Sequence, residues 1–215
     1  MVMQLEVISK YLTLSDQQHE KLAKLHELIL AKNEVVNLIS RKDTENVETH
    51  HLLHSLALYG YLPTNKSARI LDIGTGGGFP GLPLAIMYPL HEFLLVDSIK
   101  KKVDAVAEFA QQLGLENVKA QQIRAEHLKG NFDYVVSRAV TRLPVFTNWV
   151  WKNIKPGEID GKPRGILYLR GMDFDKQEIN SQIHKGFEFE FAHEIQRKFG
   201  ELFFNEKFVV FLRRK

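Results

Sequence analysis

The 215-residue chain contains no cysteine. That absence excludes a disulfide framework, thiolate zinc sites, cysteine-held iron–sulfur clusters and a cysteine nucleophile. No run of about 18 uncharged apolar residues occurs, so no membrane-spanning helix is expected. The opening MVMQLEVISKYL lacks a basic stretch followed by an apolar run and a small-residue cleavage site, so it does not read as a secretory signal. A cytoplasmic location is the expectation. Low-complexity tracts and internal repeats are missing too. Charge of one sign is scarce: 29 Lys+Arg against 26 Asp+Glu leave +3, too little alone to argue for a nucleic-acid partner.

What is present, 44% hydrophobic and 26% charged residues, is the composition of a chain that folds. Residues 1–66 read as a helical cap. Ser15 is a candidate N-cap, and Leu22, Leu25, Leu28, Ile29 and Val36 recur at helical spacing; a second helix is expected over Val47–Leu62, closed by Pro63. From Arg69 the pattern becomes short apolar runs separated by helix-length segments, the look of a parallel α/β sheet. The runs are Arg69–Ile73, Phe93–Asp97, Val118–Ile123, Phe132–Ser137 and Gly165–Arg170, with a helix over Lys100–Gly114. Phe187–Ala192 and Lys207–Leu212 follow with little helix between them and suggest an antiparallel pair closing the sheet. Residues 67–215 thus read as an α/β domain, compact with its cap.

The first strand runs into a loop with Gly74, Gly76, Gly77 and Gly78, then Phe79, Pro80 and Gly81 at a helix start. Glycines there let the backbone approach a ligand while free N–H groups point at it, so a nucleotide-like cofactor belongs at this junction. The spacing Gly76, Gly78, Gly81 formally satisfies a dinucleotide fingerprint. Asp72, at the strand's end, argues against a pyrophosphate and for a cationic donor such as S-adenosylmethionine. Asp97, closing the second strand, can accept hydrogen bonds from ribose hydroxyls or cap the helix that follows.

Further blocks carry a resemblance. Asn37 and Leu38, His50–Leu56 (HHLLHSL), Gly74–Gly81 (GTGGGFPG), Asp97 and Ser98 before Lys101 and Lys102, Arg124–Glu126, Ser137–Ala139 and Leu169–Gly171 occur in this order. Together they resemble the small-subunit rRNA guanine-N7 methyltransferases called RsmG or GidB. The Gly-Phe-Pro-Gly extension and the Ser-Arg-Ala block are specific to that family. His54 stands where the family commonly has Asp, and Arg170 where it has Lys, a planar fork for a compact ammonium.

The resemblance implies a Rossmann-like class I methyltransferase sheet, mostly parallel with its last strand antiparallel, and S-adenosyl-L-methionine as cofactor. It places Gly74 and Phe79 against the methionine half, Ala125 and Glu126 beside the adenine, and Arg138 at the site mouth. The implied partner is 16S rRNA or the small subunit, met by a monomer. Methylation at N7 needs no proton removed first, so no general base is expected; Arg138 and Arg170 are candidates for positioning. Arg138 could hold the cofactor carboxylate or the base, or tie two loops together. Lys100, Lys101, Lys102, Arg124, Arg142, Arg164 and Arg170 are expected on the face toward RNA. His50 and His54 could share a helix face, but no third ligand suggests itself, so the histidines read as packing and no metal is expected. Trp149 and Trp151 read as core or contact residues. Two other readings stand beside this one: an NAD-type oxidoreductase or a small-molecule methyltransferase, and a non-catalytic ribosome-assembly factor retaining the cofactor fold.

Overall fold

The structure, a computed structural model, describes residues 4–138, 140–171, 179 and 181–215. Strands form where the sequence has its short apolar runs: β1 Arg69–Ile73, β2 Glu92–Asp97, β3 Val118–Gln122, β4 Tyr134–Arg138, β5 Gly165–Gly171, β6 Phe187–Glu194 and β7 Lys207–Arg214. They make one sheet in the order β3-β2-β1-β4-β5-β7-β6. Neighbours from β3 to β5 are parallel, and β7 runs antiparallel to both β5 and β6. The strand order turns back between β1 and β4, and open α/β sheets leave a ligand crevice at the carboxyl ends beside such a point.

Four helices pack on the sheet: α1 Asp16–Asn33, α2 Gly81–Met87, α3 Lys100–Gln112 and α4 Leu143–Val150. Both faces of the sheet are covered. On one face Leu22, Leu25 and Ile29 of α1 pack in the same cluster as Ile70, Leu95, Phe109 and Val136. On the other, Leu71 and Val135 join Phe146 of α4 and Tyr168. Successive residues of β1 therefore serve opposite cores, as the pleat requires. α1 stops at Asn33, whose buried side-chain oxygen accepts the N–H groups of Leu38 at 2.8 Å and Ile39 at 3.0 Å.

The second cap helix is shorter than the sequence suggests. Glu48–Leu53 form a π-helical turn that passes into His54–Leu56, and the chain turns away through Gly60, φ +101°, ahead of Pro63. Two competing bonds accompany the widened turn. Ser55 Oγ donates back to the His51 carbonyl at 2.6 Å, and Arg138 Nη1 donates to the His50 carbonyl at 3.2 Å. Back-bonding of this kind bends helices.

Candidate active site

The carboxyl ends of β1, β2 and β4 and the segment after β3 enclose a cleft of about 470 Å3, the size range of small-molecule and cofactor sites. A depression of about 510 Å3 lies on another side, between the start of α1 and Gly114–Asn117, and gathers no comparable set of charged groups. Among the expected site residues, Gly74, Asp97, Ala125, Glu126 and Arg138 line the cleft.

Asp97 is preset. One carboxylate oxygen accepts the Gly76 N–H at 3.0 Å and the other the Ile99 N–H at 2.9 Å, so the acid ties the glycine loop to β2 while remaining at the cleft wall. The helix N-cap position itself belongs to Ile99. A carboxylate oxygen with one bond made retains a lone pair, and ribose hydroxyls are suitable donors to it. Gly74 adopts φ +69°, and a Cβ there would collide with Val140 Cγ2, so the backbone can pass under Val140 only as glycine.

Asp72 departs from expectation. It is fully buried beneath the loop, where one oxygen accepts the Thr75 hydroxyl at 2.7 Å and the Gly81 N–H at 2.9 Å. Its other oxygen has no partner. Burial pushes its pKa up to about 7 despite those two bonds and the nearby Arg138. It shapes the loop from behind and does not face a cofactor, so its charge cannot choose between a sulfonium and a pyrophosphate as the sequence argument supposed. Gly76 and Gly78 shape the loop likewise and are not at the cleft wall. Phe79 is buried, its ring 5.0 Å from the Arg138 guanidinium and 5.0 Å from the His51 ring, and supports Arg138 instead of lining the cleft.

Arg138 reaches the cleft from β4, two residues beyond the Asp72–Val136 register pair and thus level with Gly74. Burial lowers its pKa to about 10, which leaves it charged at neutral pH. Arg170 does not join it: Arg138 pairs with Leu169, so strand alternation sends Arg170 to the opposite face, where its Nε donates to the Gly171 carbonyl at 3.3 Å.

The basic face also needs one correction. Lys102 and Arg124 border the cleft; Lys101 and Arg142 are exposed near it, at the starts of α3 and α4; Lys100 is exposed but pairs with Asp104 at 2.8 Å. Arg164 precedes the first residue of β5, at the other end of the sheet. Its Nε donates to the buried Asp133 at 2.8 Å and its Nη1 to the Pro156 carbonyl at 3.0 Å, which makes it a structural residue. Trp149 was missed as a site residue: it flanks the buried stripe of α4 and lines the cleft. Trp151 stacks on His184, ring centroids 4.5 Å apart. His51 and His54 are buried, His54 edge-on to Phe203 and Phe204, and His50 stacks on Phe203 at 3.7 Å.

The cleft thus offers a preset acid on one wall, a cation on another, backbone close to the ligand at the glycine loop, and apolar walls at Val96, Ala125, Val140 and Trp149. That donor set fits S-adenosylmethionine: the acid suits a ribose, the guanidinium an amino-acid carboxylate, the apolar walls an adenine.

Comparison with solved structures agrees on the fold. The chain is similar to a SAM-dependent methyltransferase from Aquifex aeolicus, TM-score 0.59 at 15% identity over 86% of this chain and 98% of that one. It is also similar to magnesium protoporphyrin IX methyltransferase from Synechocystis PCC 6803 with bound SAM, TM-score 0.54 at 12% identity over 94% and 86%. Among sequences, it is 44% identical to a ribosomal RNA small subunit methyltransferase G from Christiangramia forsetii, over 99% of both chains. The protein of that name from Bacteroides thetaiotaomicron is 40% identical over 96% of this chain and 98% of its own. The family model for GidB, rRNA small subunit methyltransferase G, matches residues 18–199, and the chain belongs to that family.

Proposed function

We propose that this chain transfers a methyl group from S-adenosylmethionine to N7 of one guanine in the 16S rRNA of the small ribosomal subunit. One observation supports the reading above others: the cleft at the carboxyl ends of β1, β2 and β4 gathers Asp97, the glycine loop and Arg138 around one space. A monomer suffices for such a site, and a ribosomal substrate puts the work in the cytoplasm.

S-adenosylmethionine supplies an electrophilic methyl group on a sulfonium. Asp97 accepts from the ribose, with its orientation fixed by the Gly76 and Ile99 N–H groups. Arg138, level with Gly74, holds the methionine carboxylate. Ala125 and Glu126 border the adenine end, with Trp149 closing the apolar wall. Guanine N7 has an exposed lone pair, so the chain needs to provide alignment and not a base. Alignment in a closed site is worth about 7–11 kcal/mol in well-oriented reactions. Lys101 and Arg142, exposed beside the cleft, contact RNA phosphates.

The test is to incubate the protein and methyl-labelled S-adenosylmethionine with small subunits lacking N7-methylguanine, then locate the label by mass spectrometry of RNA fragments. Label is expected at N7 of one guanine and lost when that guanine is replaced. Label on another atom or on no RNA overturns the reading. Binding of subunits without transfer would favour an assembly factor, and tight NAD binding without affinity for S-adenosylmethionine an oxidoreductase.

A further inference from the structure

Arg138 is held on three sides by residues outside the cleft. Its Nη1 donates to the His50 carbonyl at 3.2 Å, its Nη2 donates to His51 Nδ1 at 3.0 Å, and the Phe79 ring lies against the guanidinium. The π-helical turn brings the carbonyl of one residue and the ring of the next onto the same cation. His51 is fixed in turn. Its ring leans on Phe79, and its buried Nε2, which makes no hydrogen bond, lies 3.8 Å from Asp43 Oδ2, within reach of the carboxylate's charge only. The second Asp43 oxygen lies 2.8 Å from His50 Nδ1. Two consecutive histidines therefore stand between one half-buried carboxylate and the arginine at the cleft: the His50 ring bonds the carboxylate and its carbonyl the arginine, while the His51 ring bonds the arginine and faces the carboxylate.

The direction of the hydrogen bonds follows from the chemistry. A guanidinium has donors only, so His51 Nδ1 must accept and its ring hydrogen must sit on Nε2, the nitrogen that faces Asp43. A protonated His51 would lose that acceptor and set a second cation beside Arg138. Burial first and the Arg138 charge second hold its pKa down to about 3, so the ring stays neutral.

We propose that Asp43 and His51 form a relay that sets the position of Arg138, which makes His51 a positioning residue for cofactor binding although it does not line the cleft. The proposal rests on the reading of Arg138 as the group that holds the methionine carboxylate. A purely structural clamp would tie cap to sheet without any effect on the ligand.

Titration calorimetry with S-adenosylmethionine separates the two, together with kinetics on small subunits. The variants are His51→Leu, which removes the acceptor; His51→Asn, which keeps an acceptor near the position of Nδ1; Arg138→Ala; and the double variant His51→Leu/Arg138→Ala. His51→Leu is expected to weaken cofactor affinity about tenfold and to leave KM for subunits unchanged, and His51→Asn to recover most of that loss. In the Arg138→Ala background His51→Leu should add less than about twofold, because residues acting through one another are not additive. The relay is overturned if His51→Leu binds as wild type does, if His51→Asn is as impaired as His51→Leu, or if the two single losses multiply. If His51→Leu shows no cooperative thermal transition, Asp43→Asn, on a surface turn, carries the same comparison alone and with Arg138→Ala. Wild-type protein that binds S-adenosylmethionine but methylates no guanine would refute the proposed function while the affinity comparison still decides the relay.

Discussion

Asp72 is a carboxyl group sealed beneath the glycine loop, with two hydrogen bonds on one oxygen and none on the other. Its pKa rises from 3.8 to about 7, chiefly through loss of water. Between those values the folded chain binds a proton that the unfolded chain has released. The stability it contributes is therefore complete below about pH 4 and lost as pH climbs through 7, a change on the order of a few kcal/mol. His51 and His54 work in the opposite sense: burial holds both below 6.5, so their contribution is present above 6.5 and lost as pH falls. The wild-type stability curve sums these slopes, and a difference between two chains isolates one. Asp72→Asn keeps an acceptor for Thr75 and Gly81 without the titration. Thermal unfolding at a series of pH values should show the variant gaining on wild type from pH 5 to pH 8. A constant difference would mean that Asp72 ionises freely in the fold.

α1 shows how much an element owes to its first residue. Ser15 Oγ accepts the Gln18 N–H at 3.2 Å, and the Gln18 side chain accepts the Ser15 N–H at 3.0 Å, a closed capping box. Loss of such a cap costs about 1 kcal/mol. Ser15→Ala should lower the denaturant midpoint by that amount with an unchanged slope, and cofactor affinity should not move, since the cap is remote from the cleft. An altered affinity would couple α1 to the site in a way the geometry does not suggest. This cap was legible in the sequence, as were the strands and the loop after β1, because each has a local signature in spacing or residue type. Sidedness was not. β1 and β4 are apolar on both faces, so no alternation marks which way a side chain at the strand's end turns. Hence Asp72 reads as a cofactor residue although it faces the protein, as does Phe79, which the resemblance alone sets against the methionine half, while Trp149, on the flank of the α4 stripe, faces the cleft. The bond from Arg138 to the widened turn spans 88 residues to His50 and leaves no local trace in the sequence.

At the scale of the molecule, charge sum and charge placement part company. The excess of Lys+Arg lies in residues 161–215, 11 against 8 acids, yet not all of it serves a ligand. Arg164 belongs to that excess and sits at the amino end of β5, the end of a parallel sheet that faces away from its ligands; the order of the strands alone could have removed it from the RNA face. There it meets Asp133, which also accepts the Arg69 N–H at 2.8 Å and lies 3.6 Å from Lys155. Lys101 and Arg142 are exposed by the cleft instead. These positions make opposite predictions for RNA binding. Each phosphate contact contributes about 0.7–0.9 to the slope of log affinity against log salt. Lys101→Ala and Arg142→Ala should each reduce the slope for small-subunit RNA by roughly that amount with little effect on thermal stability. Arg164→Ala should leave the slope alone and destabilise the fold by about 2 kcal/mol, because Asp133 stays buried with one fewer partner. Filter binding across a salt series and thermal melts on the same three proteins measure both. If Arg164→Ala flattened the slope as Lys101→Ala does, RNA would have to reach around to the amino end of the sheet, and the cleft would be only part of the contact surface.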